Sequence, residues 1–290
     1  MLKEFEKLAS DHTSGATELI RKLLALCENC AIGYRFDELR EGFALLEQAQ
    51  PSMPSLHAVL HILKSEFVDR LQKDEETADA IAYLSSLENI LNESGTRISE
   101  VFAETLTEAV SVVTLSRSST VLSTLYHLRE QALLRHVYIL EGRPMLEGHR
   151  SIRDLDDHRI AATLMIDAAM GEALQQADIA VVGADTITAD GFLLNKTGTY
   201  PLALCCRAMN LPLYVCCDSL KFSPQLQEQI TVEDRPAEEV LSIEDEDSFG
   251  VWNHYFEWVP VEYVTAFITE RGSFAPDQLS ALAPDSEKTT

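Results

Sequence analysis

The spacing of apolar residues in this chain changes near residue 106, and this change limits the possible folds more than any other feature. Before it, apolar residues recur at helical spacing, as between Leu19 and Leu26, and no β-rich run occurs before residue 110. After it, short runs rich in Val and Ile alternate with helical patterns. We therefore predict an α/β protein with a helical N-terminal domain at 1–106 and a Rossmann-like parallel-sheet domain at 107–290.

Five short apolar runs in the second region are typical of parallel strands that are covered on both faces. These runs are 110–115, 137–140, 164–166, 179–182 and 213–215. Ligands of an open parallel sheet bind beyond the carboxyl ends of its strands. The polar residues that directly follow these runs are therefore the first candidates for a binding site.

The charge of the chain argues against some classes of partner. Lys and Arg number 23, Asp and Glu number 47, and the net charge at pH 7 is −24. Nucleic-acid backbones favour basic surfaces, so we expect no direct binding to nucleic acid. No stretch approaches the roughly 20 apolar residues that cross a bilayer, and the first residues lack an apolar signal core. We expect an acidic cytoplasmic protein that does not bind membranes. Its negative charge can favour solubility, suit a salty cytoplasm or attract a basic protein partner.

The six cysteines do not form a pattern that is typical of disulfides or metal sites. Two pairs are adjacent in the chain, at 205–206 and 216–217, and adjacent residues are poorly placed to bridge each other. Cys27 and Cys30 form a single CxxC on a predicted helix, which is weak evidence for a redox or metal role. We interpret the cysteines as buried apolar residues of a reducing compartment and expect neither a metal nor a cofactor.

Asp185 is the first candidate at the predicted sheet edge. It closely follows the strand 179–182, so its carboxylate is placed where a ligand binds. Aspartates in such positions also cap helices and close turns. Position alone therefore favours neither role.

The second candidate is a loop that contains Asn195, Lys196, Gly198 and Thr199 and precedes a helical pattern. Free backbone N–H groups and the helix dipole attract anions at such a place. Gly198 permits a close approach of the backbone to a phosphate, and Lys196 supplies a positive charge. The alternative is an ordinary turn with a surface lysine.

Two further polar segments follow predicted strands. Arg143 comes after 137–140 and can bind a phosphate or Asp185. The hydroxyl-rich segment 114–120 ends the strand 110–115 and suits either a phosphate or a helix N-cap. Because all four segments follow different strands at one sheet edge, together they predict a site for a small phosphorylated ligand.

As a set, these segments resemble the translation initiation factor 2B alpha/beta/delta family, whose superfamily includes methylthioribose-1-phosphate isomerase and ribose-1,5-bisphosphate isomerase. The resemblance spans most of 107–272 and is carried by 182–185 (VGAD), 195–199 (NKTGT), 214–222 (YVCCDSLKF), 253–259 and 268–272 (ITERG). The segment 11–19 resembles the family's N-terminal ligand loop. The resemblance implies a homodimer formed by the Rossmann-like domain and a phosphosugar or nucleotide-phosphate pocket. A protein partner in translation would also fit this family.

The resemblance also assigns roles to two residues. It places the catalytic Asp of the isomerases at Asp185 and their catalytic Cys at Ser116. A thiol ionises near pH ~8.5, whereas a serine hydroxyl needs a base partner to react. Aldose–ketose isomerisation moves protons between paired groups. The replacement of the cysteine by Ser116 therefore argues against turnover.

Two more positions in the ligand region differ from the isomerases. Ser14 stands before Gly15-Ala16, where they carry a phosphate-binding Arg, and Glu147 stands where they carry Gln. A carboxylate at 147 repels phosphate unless Arg143 or another cation neutralises it. We therefore favour a noncatalytic protein that binds a sugar phosphate or nucleotide phosphate. The alternatives are a phosphosugar isomerase with altered catalytic residues and an oligomer subunit with a vestigial pocket.

Overall fold

The computed structural model describes residues 1–11, 16–49, 54–73, 77–242 and 249–281. Up to residue 105 the described chain forms helices, with a π-helical turn at Leu63–Phe67. These helices are α1 (Leu2–Ala9), α2 (Ala16–Ile32), α3 (Phe36–Ala49), α4 (Pro54–Ile62), α5 (Val68–Lys73) and α6 (Ala78–Thr105). No helix of the described ranges is long and apolar enough to cross a membrane.

The N-terminal helices pack around one apolar core because their apolar residues recur at helical spacing. Leu19, Leu23, Cys27 and Cys30 lie on one side of α2 and are fully buried there. Burial raises the pKa of the Cys27 thiol and also that of Cys30, so neither thiol is activated. All six cysteines are free.

The long helix α6 belongs to two cores. Leu84 and Leu87 pack in the core of the N-terminal helices, whereas Ile98 and Phe102 pack against the sheet that follows. The helix ends at Thr105, next to the predicted domain boundary. Because α6 contributes to both cores, the division at residue 106 stays a prediction.

The remainder of the described chain alternates strands with helices. Its helices are α7 (Ser119–Glu130), α8 (Gly148–Asp157), α9 (Met170–Gln175) and α10 (Thr199–Met209). Its strands are β1 (Val110–Leu115), β2 (Leu134–Leu140), β3 (Ala162–Met165), β4 (Ile179–Val182), β5 (Thr186–Ile187), β6 (Phe192–Lys196), β7 (Leu213–Cys216), β8 (Phe256–Pro260), β9 (Ala266–Thr269) and β10 (Gly272–Phe274).

The main sheet has seven strands in the order β10-β9-β7-β4-β1-β2-β3. All neighbours are parallel except β10, which is antiparallel to β9. The chain adds β2 and β3 on one side of β1 and then adds β4 and β7 on the other side. The direction of strand addition therefore reverses between β1 and β4, where doubly wound sheets form their ligand crevice.

The predicted fold class is confirmed, and the five predicted strands correspond to β1, β2, β3, β4 and β7. A second sheet was not predicted: β5, β6 and β8 form a small antiparallel sheet beside the main one. The prediction of a loop at Asn195 and Lys196 was wrong, because both residues belong to β6.

Candidate functional site

A cavity of about 730 Å³ lies at the carboxyl ends of β1, β4 and β7, between the main sheet and the N-terminal helices. Residues directly after the three strands line it on the sheet side, and parts of α2 and α6 line it on the other side. The lining residues include Glu18, Arg21, Ser116, Arg117, Ser118, Ser119, Thr120, Glu147, Asp185, Asn195, Lys196, Asp218, Lys221 and Phe256. The cavity lies at the reversal point of the sheet, as the topology predicts.

The cavity brings together part of the predicted site. Five of the predicted residues line it, namely Ser116, Glu147, Asp185, Asn195 and Lys196. Ser14 and Gly15 lie outside the described residues, and Ala16 begins α2, directly before the lining residue Thr17. Arg143, Gly198 and Thr199 are not among the lining residues and form contacts elsewhere.

Asp185 lies just beyond β4. Its backbone N–H donates to the carbonyl oxygen of Leu194 at 3.0 Å, which joins the end of β4 to β6. Burial raises the pKa of Asp185 above its ordinary value of 3.8, and the positive charges of Lys221 and Lys196 reduce that rise. In the described ranges its carboxylate has no hydrogen-bond donor or ion-pair partner, so it is free to exchange a proton with a ligand.

Asp185→Asn is expected to stabilise the ligand-free protein at neutral pH. Because the folded-state pKa of Asp185 is raised, ionisation is disfavoured in the folded protein. This cost is absent below 3.8, appears as the pH rises through the folded-state pKa and is fully present above it. Urea unfolding of both proteins from about pH 3.5 to about pH 7.5 measures the difference, which should grow as the pH rises above 3.8. A constant difference would mean that Asp185 does not titrate as inferred.

Ser116 adopts a left-handed backbone conformation, with φ of 62°, at the turn between β1 and α7. Ser151 Oγ donates to its carbonyl oxygen at 3.0 Å and holds the turn. The next hydroxyl, Ser118 Oγ, accepts from the N–H of Val121 and caps α7. Because Ser118, Ser119 and Thr120 line the cavity, the positive end of the α7 dipole lies at its wall.

Gly183 makes this arrangement of β1, β4 and α7 possible. A Cβ atom on Gly183 would lie 2.7 Å from Ser118 Oγ and 3.0 Å from Ser118 Cβ. The residue after β4 must therefore be a glycine if the first turn of α7 is to lie this close to the strand.

Lys196 forms an ion pair within the cavity. Its ammonium lies 2.5 Å from Glu147 Oε1, and the two side chains are 12% and 21% exposed. The same ammonium lies 4.8 Å from the ring centroid of Tyr255 and 5.4 Å from that of Phe256. Lys196 is thus the cation that neutralises Glu147.

Arg143 forms no ion pair with Asp185 among the described residues, and its role in phosphate binding stays a prediction. Its Nη2 donates to the carbonyl oxygen of Val240 at 3.0 Å, and its side chain lies outside the cavity. The backbone N–H of Arg143 donates to Asp167 Oδ2 at 2.8 Å, and the neighbouring Gly142 N–H donates to Asp167 Oδ1. These bonds fix the turn after β2 with the guanidinium directed away from Asp185.

The N terminus of α10, predicted as an open anion site, already holds a carboxylate of the chain. Glu257 Oε1 accepts from the N–H of Gly198 at 2.6 Å and from the N–H of Tyr200 at 2.8 Å. Burial raises the pKa of Glu257, and the backbone donors of this turn reduce that rise. Thr199 Oγ1 is also engaged, because it donates to the carbonyl oxygen of Lys196 and accepts from Asn195 Nδ2. The phosphate-binding role predicted for Gly198 and Thr199 therefore lacks geometric support.

Lys221 is a cavity residue that the sequence reasoning missed. Its ammonium has no ion pair or hydrogen bond within the described chain, and its charge opposes the rise in the Asp185 pKa. Asp218 Oδ1 accepts from the N–H of Leu220 at 3.1 Å and caps the short turn that carries Lys221. The signal was available, because the turn follows the predicted strand 213–215 and the strand-end rule applies to it as well.

The charges of the cavity differ from those of the chain as a whole. The basic lining residues are Arg21, Arg117, Lys196 and Lys221, and the acidic ones are Glu18, Glu147, Asp185 and Asp218. Basic and acidic residues are thus equal in number here, whereas acidic residues outnumber basic ones by 47 to 23 in the sequence. The cavity is therefore a more favourable place for a small anion than the rest of the chain, where acidic residues predominate.

The sequence model of the Initiation factor 2 subunit family matches residues 1–276. The chain belongs to this family. The predicted resemblance is therefore confirmed, and the match includes the N-terminal helices as well as the sheet.

Relatives with different functions are about equally similar to this chain. Ribose 1,5-bisphosphate isomerase of Archaeoglobus fulgidus is 28% identical over 285 residues, which cover 96% of this chain and 90% of the relative. A putative translation initiation factor eIF-2B subunit 2-like protein of Pyrococcus abyssi is 29% identical over 282 residues, which cover 95% and 96%. The crystal structure of the Pyrococcus horikoshii OT3 translation initiation factor eIF-2B gives a TM-score of 0.75 at 26% identity and covers 95% of this chain and 96% of that chain. Similarity alone thus does not choose between isomerase and translation factor.

Proposed function

We propose that the cavity binds a small phosphorylated molecule, a sugar phosphate or a nucleotide phosphate, and that the protein acts by binding and not by turnover. The observation that carries this proposal is the ammonium of Lys221, which has no ion pair among the described residues and lies in a cavity that is also lined by the first turn of α7. An ammonium and a helix N terminus both attract anions, and here they belong to different elements of the fold.

The electrostatics of the whole chain support the same proposal. A phosphate dianion is repelled by a protein of net charge −24 unless basic residues are concentrated where it binds. In the cavity, basic and acidic residues are equal in number, so a phosphate is repelled less there than by the chain as a whole. The name of the Archaeoglobus fulgidus relative refers to a phosphorylated pentose, which is a ligand of this class.

The absence of turnover in the proposal rests on Ser116. The isomerases carry a cysteine at the equivalent position, and a serine hydroxyl becomes a useful acid or nucleophile only beside a base. Within the described residues no side chain forms a hydrogen bond with Ser116 Oγ. Ser116 therefore does not supply Asp185 with the ionisable partner that the cysteine supplies in a two-group proton transfer.

Isomerisation of an aldose phosphate to a ketose phosphate is the second candidate function, and Asp185 favours it. Its carboxylate lines the cavity, has a raised pKa and is free to exchange a proton. A single acid–base residue can shuttle a proton between neighbouring carbons if a bound water or the ligand itself supplies the second group. The two candidates share a ligand class and differ only in turnover.

A thermal-shift screen tests ligand binding directly. Ribose 5-phosphate and adenosine 5′-phosphate are compared with ribose and adenosine, which lack the phosphate. A ligand at 100 times its dissociation constant stabilises the folded state by about 2.7 kcal/mol, so the melting temperature should rise with the phosphorylated compounds only. Equal melting temperatures with and without every phosphorylated compound would contradict the proposal and favour a vestigial pocket.

Compounds that bind are then incubated with the protein, and ketose formation is followed by NMR. We expect the aldose phosphate to remain unchanged. Formation of the ketose would overturn the noncatalytic proposal, and Asp185→Asn should then abolish it. A residual activity in Asp185→Asn would point to a contaminating isomerase.

The proposal extends to the assembly and location of the protein. We propose a cytoplasmic homodimer built through the 107–290 domain, with a protein of the translation machinery as a possible partner and a separate helical domain at 1–106. Light scattering of the purified chain over a range of concentrations measures its mass. A mass of one chain at all concentrations would contradict the homodimer.

A further inference from the structure

The ion pair between Glu147 and Lys196 divides the cavity into two electrostatically different parts. Lys221 follows β7 of the main sheet and forms no ion pair with the described residues, whereas Lys196 ends β6 of the small sheet and is paired with a carboxylate. A phosphate that approached Lys196 would also approach Glu147, so attraction and repulsion largely cancel there. The part of the cavity near Lys221 and α7 is therefore more favourable for a phosphate than the part near Glu147.

The Glu147 carboxylate is held in this place by its surroundings. Its second oxygen, Oε2, is fully buried and has no hydrogen-bond partner among the described residues. A Cβ atom on Gly142 would lie 3.0 Å from this oxygen, so the turn after β2 packs tightly against the carboxylate. An incoming anion therefore meets a negative charge that is packed against this turn and paired with Lys196.

Lys196 is equally restricted. Its ammonium is enclosed by Glu147 and by the rings of Tyr255 and Phe256, and its side chain is only 12% exposed. Such a pair offers a ligand a donor group, the ammonium, and an acceptor group, the carboxylate, and it has no net charge. Hydroxyl groups match it, because each can donate to the carboxylate and accept from the ammonium.

We propose that Glu147 restricts the cavity to ligands with a single phosphate group, whose other end carries hydroxyl groups that bind to Glu147 and Lys196. This inference rests on the proposed function, since it specifies the ligand of the same cavity. A bisphosphate would place its second phosphate beside Glu147 and bind more weakly.

Calorimetric titration of the full chain with ribose 5-phosphate and ribose 1,5-bisphosphate tests the inference. The measured quantity is the ratio of the dissociation constant of the bisphosphate to that of the monophosphate. Glu147→Gln keeps the shape of the side chain and leaves the Lys196 charge uncompensated, so the ratio should fall by about tenfold or more. Glu18→Gln is the matched control, because Glu18 lines the same cavity but pairs with Lys22 and is 62% exposed.

Two further variants keep the test independent of the behaviour of Glu147→Gln. Lys196→Gln leaves the carboxylate uncompensated and should raise the ratio. The double variant Glu147→Gln/Lys196→Gln has no net charge at this place and should return the ratio towards that of the wild type. Melting temperatures without ligand establish that each variant is folded.

The outcomes separate this inference from the proposed function. If ribose 5-phosphate binds and Glu147→Gln changes the ratio no more than Glu18→Gln, the restriction to monophosphates is wrong and the phosphate site stands. The same holds if the wild type binds the bisphosphate more tightly than the monophosphate. If neither compound binds to the wild type or to any variant, the phosphate site itself is wrong and the inference falls with it.

Discussion

Gly148→Ala is expected to destabilise the protein by about 3 kcal/mol, the upper part of the range for overpacked sites. A Cβ atom on Gly148 would lie 2.3 Å from the carbonyl oxygen of Leu140 and 2.9 Å from Glu141 Cα. Both are backbone atoms at the end of β2, which pairs with β1 on one side and β3 on the other. They cannot move away without shifting a strand inside the sheet.

The tight packing at Gly148 has a structural purpose. Its N–H donates to the carbonyl oxygen of Glu141 at 3.0 Å, which closes the turn between β2 and α8. This closure carries Glu147 into the cavity beside Lys196. A displacement of the turn should therefore weaken the ion pair as well as the packing.

Urea unfolding measures the effect of Gly148→Ala, and Gly171→Ala is the matched control. Gly171 lies in α9, and a Cβ atom there would have no neighbour within 4 Å. Alanine favours a helix over glycine by about 1 kcal/mol, so the control should be neutral or slightly stabilised. Similar losses of stability in the two variants would mean that the turn after β2 is not as tightly packed as the structure indicates.

The sequence predicted the central strands β1 and β4 of the main sheet well because they are continuously buried. The bounds predicted for β1 and β4 agree with the structure, since every residue of both strands is buried and the apolar runs have clear ends. The small sheet was missed because β6 and β8 are short and only partly buried. In β8, partly exposed aromatic residues alternate with Glu257, a pattern that also fits an irregular aromatic cluster.

The residues of the candidate site also differ in whether the sequence could predict their place. Ser116 and Asp185 could be placed from the sequence because each directly follows a strand of the main sheet. The pairing of Lys196 with Glu147 joins residues that are 49 positions apart, and no local pattern encodes it. Glu257 was missed for a related reason: its place at the N terminus of α10 results from the pairing of Asn195 with Glu257 across β6 and β8. A helix N terminus that the sequence predicts to be open to an anion can thus already be occupied by a carboxylate of the folded chain.

Lys221→Met is expected to weaken the binding of ribose 5-phosphate by about 10-fold to 100-fold. A hydrogen bond to a charged group contributes about 1.5–3 kcal/mol, and each 1.4 kcal/mol is about tenfold in affinity. Lys221 supplies an ammonium that has no ion pair in the described part of the chain, whereas Lys196 is paired with Glu147. Methionine keeps most of the length and apolar volume of the lysine stem, so the packing of the turn changes little.

Calorimetric titration in low and in moderate salt measures this loss, with Lys64→Met as the control. Lys64 lies among the N-terminal helices, where its ammonium is 2.6 Å from Glu47 Oε1, and it does not line the cavity. Both variants change the net charge equally, so a long-range effect of charge would appear in both. A loss confined to Lys221→Met assigns the phosphate to the part of the cavity between β7 and α7. Equal affinities of the wild type and Lys221→Met would mean that the phosphate does not bind beside Lys221, because the variant has no other change that could restore the lost charge.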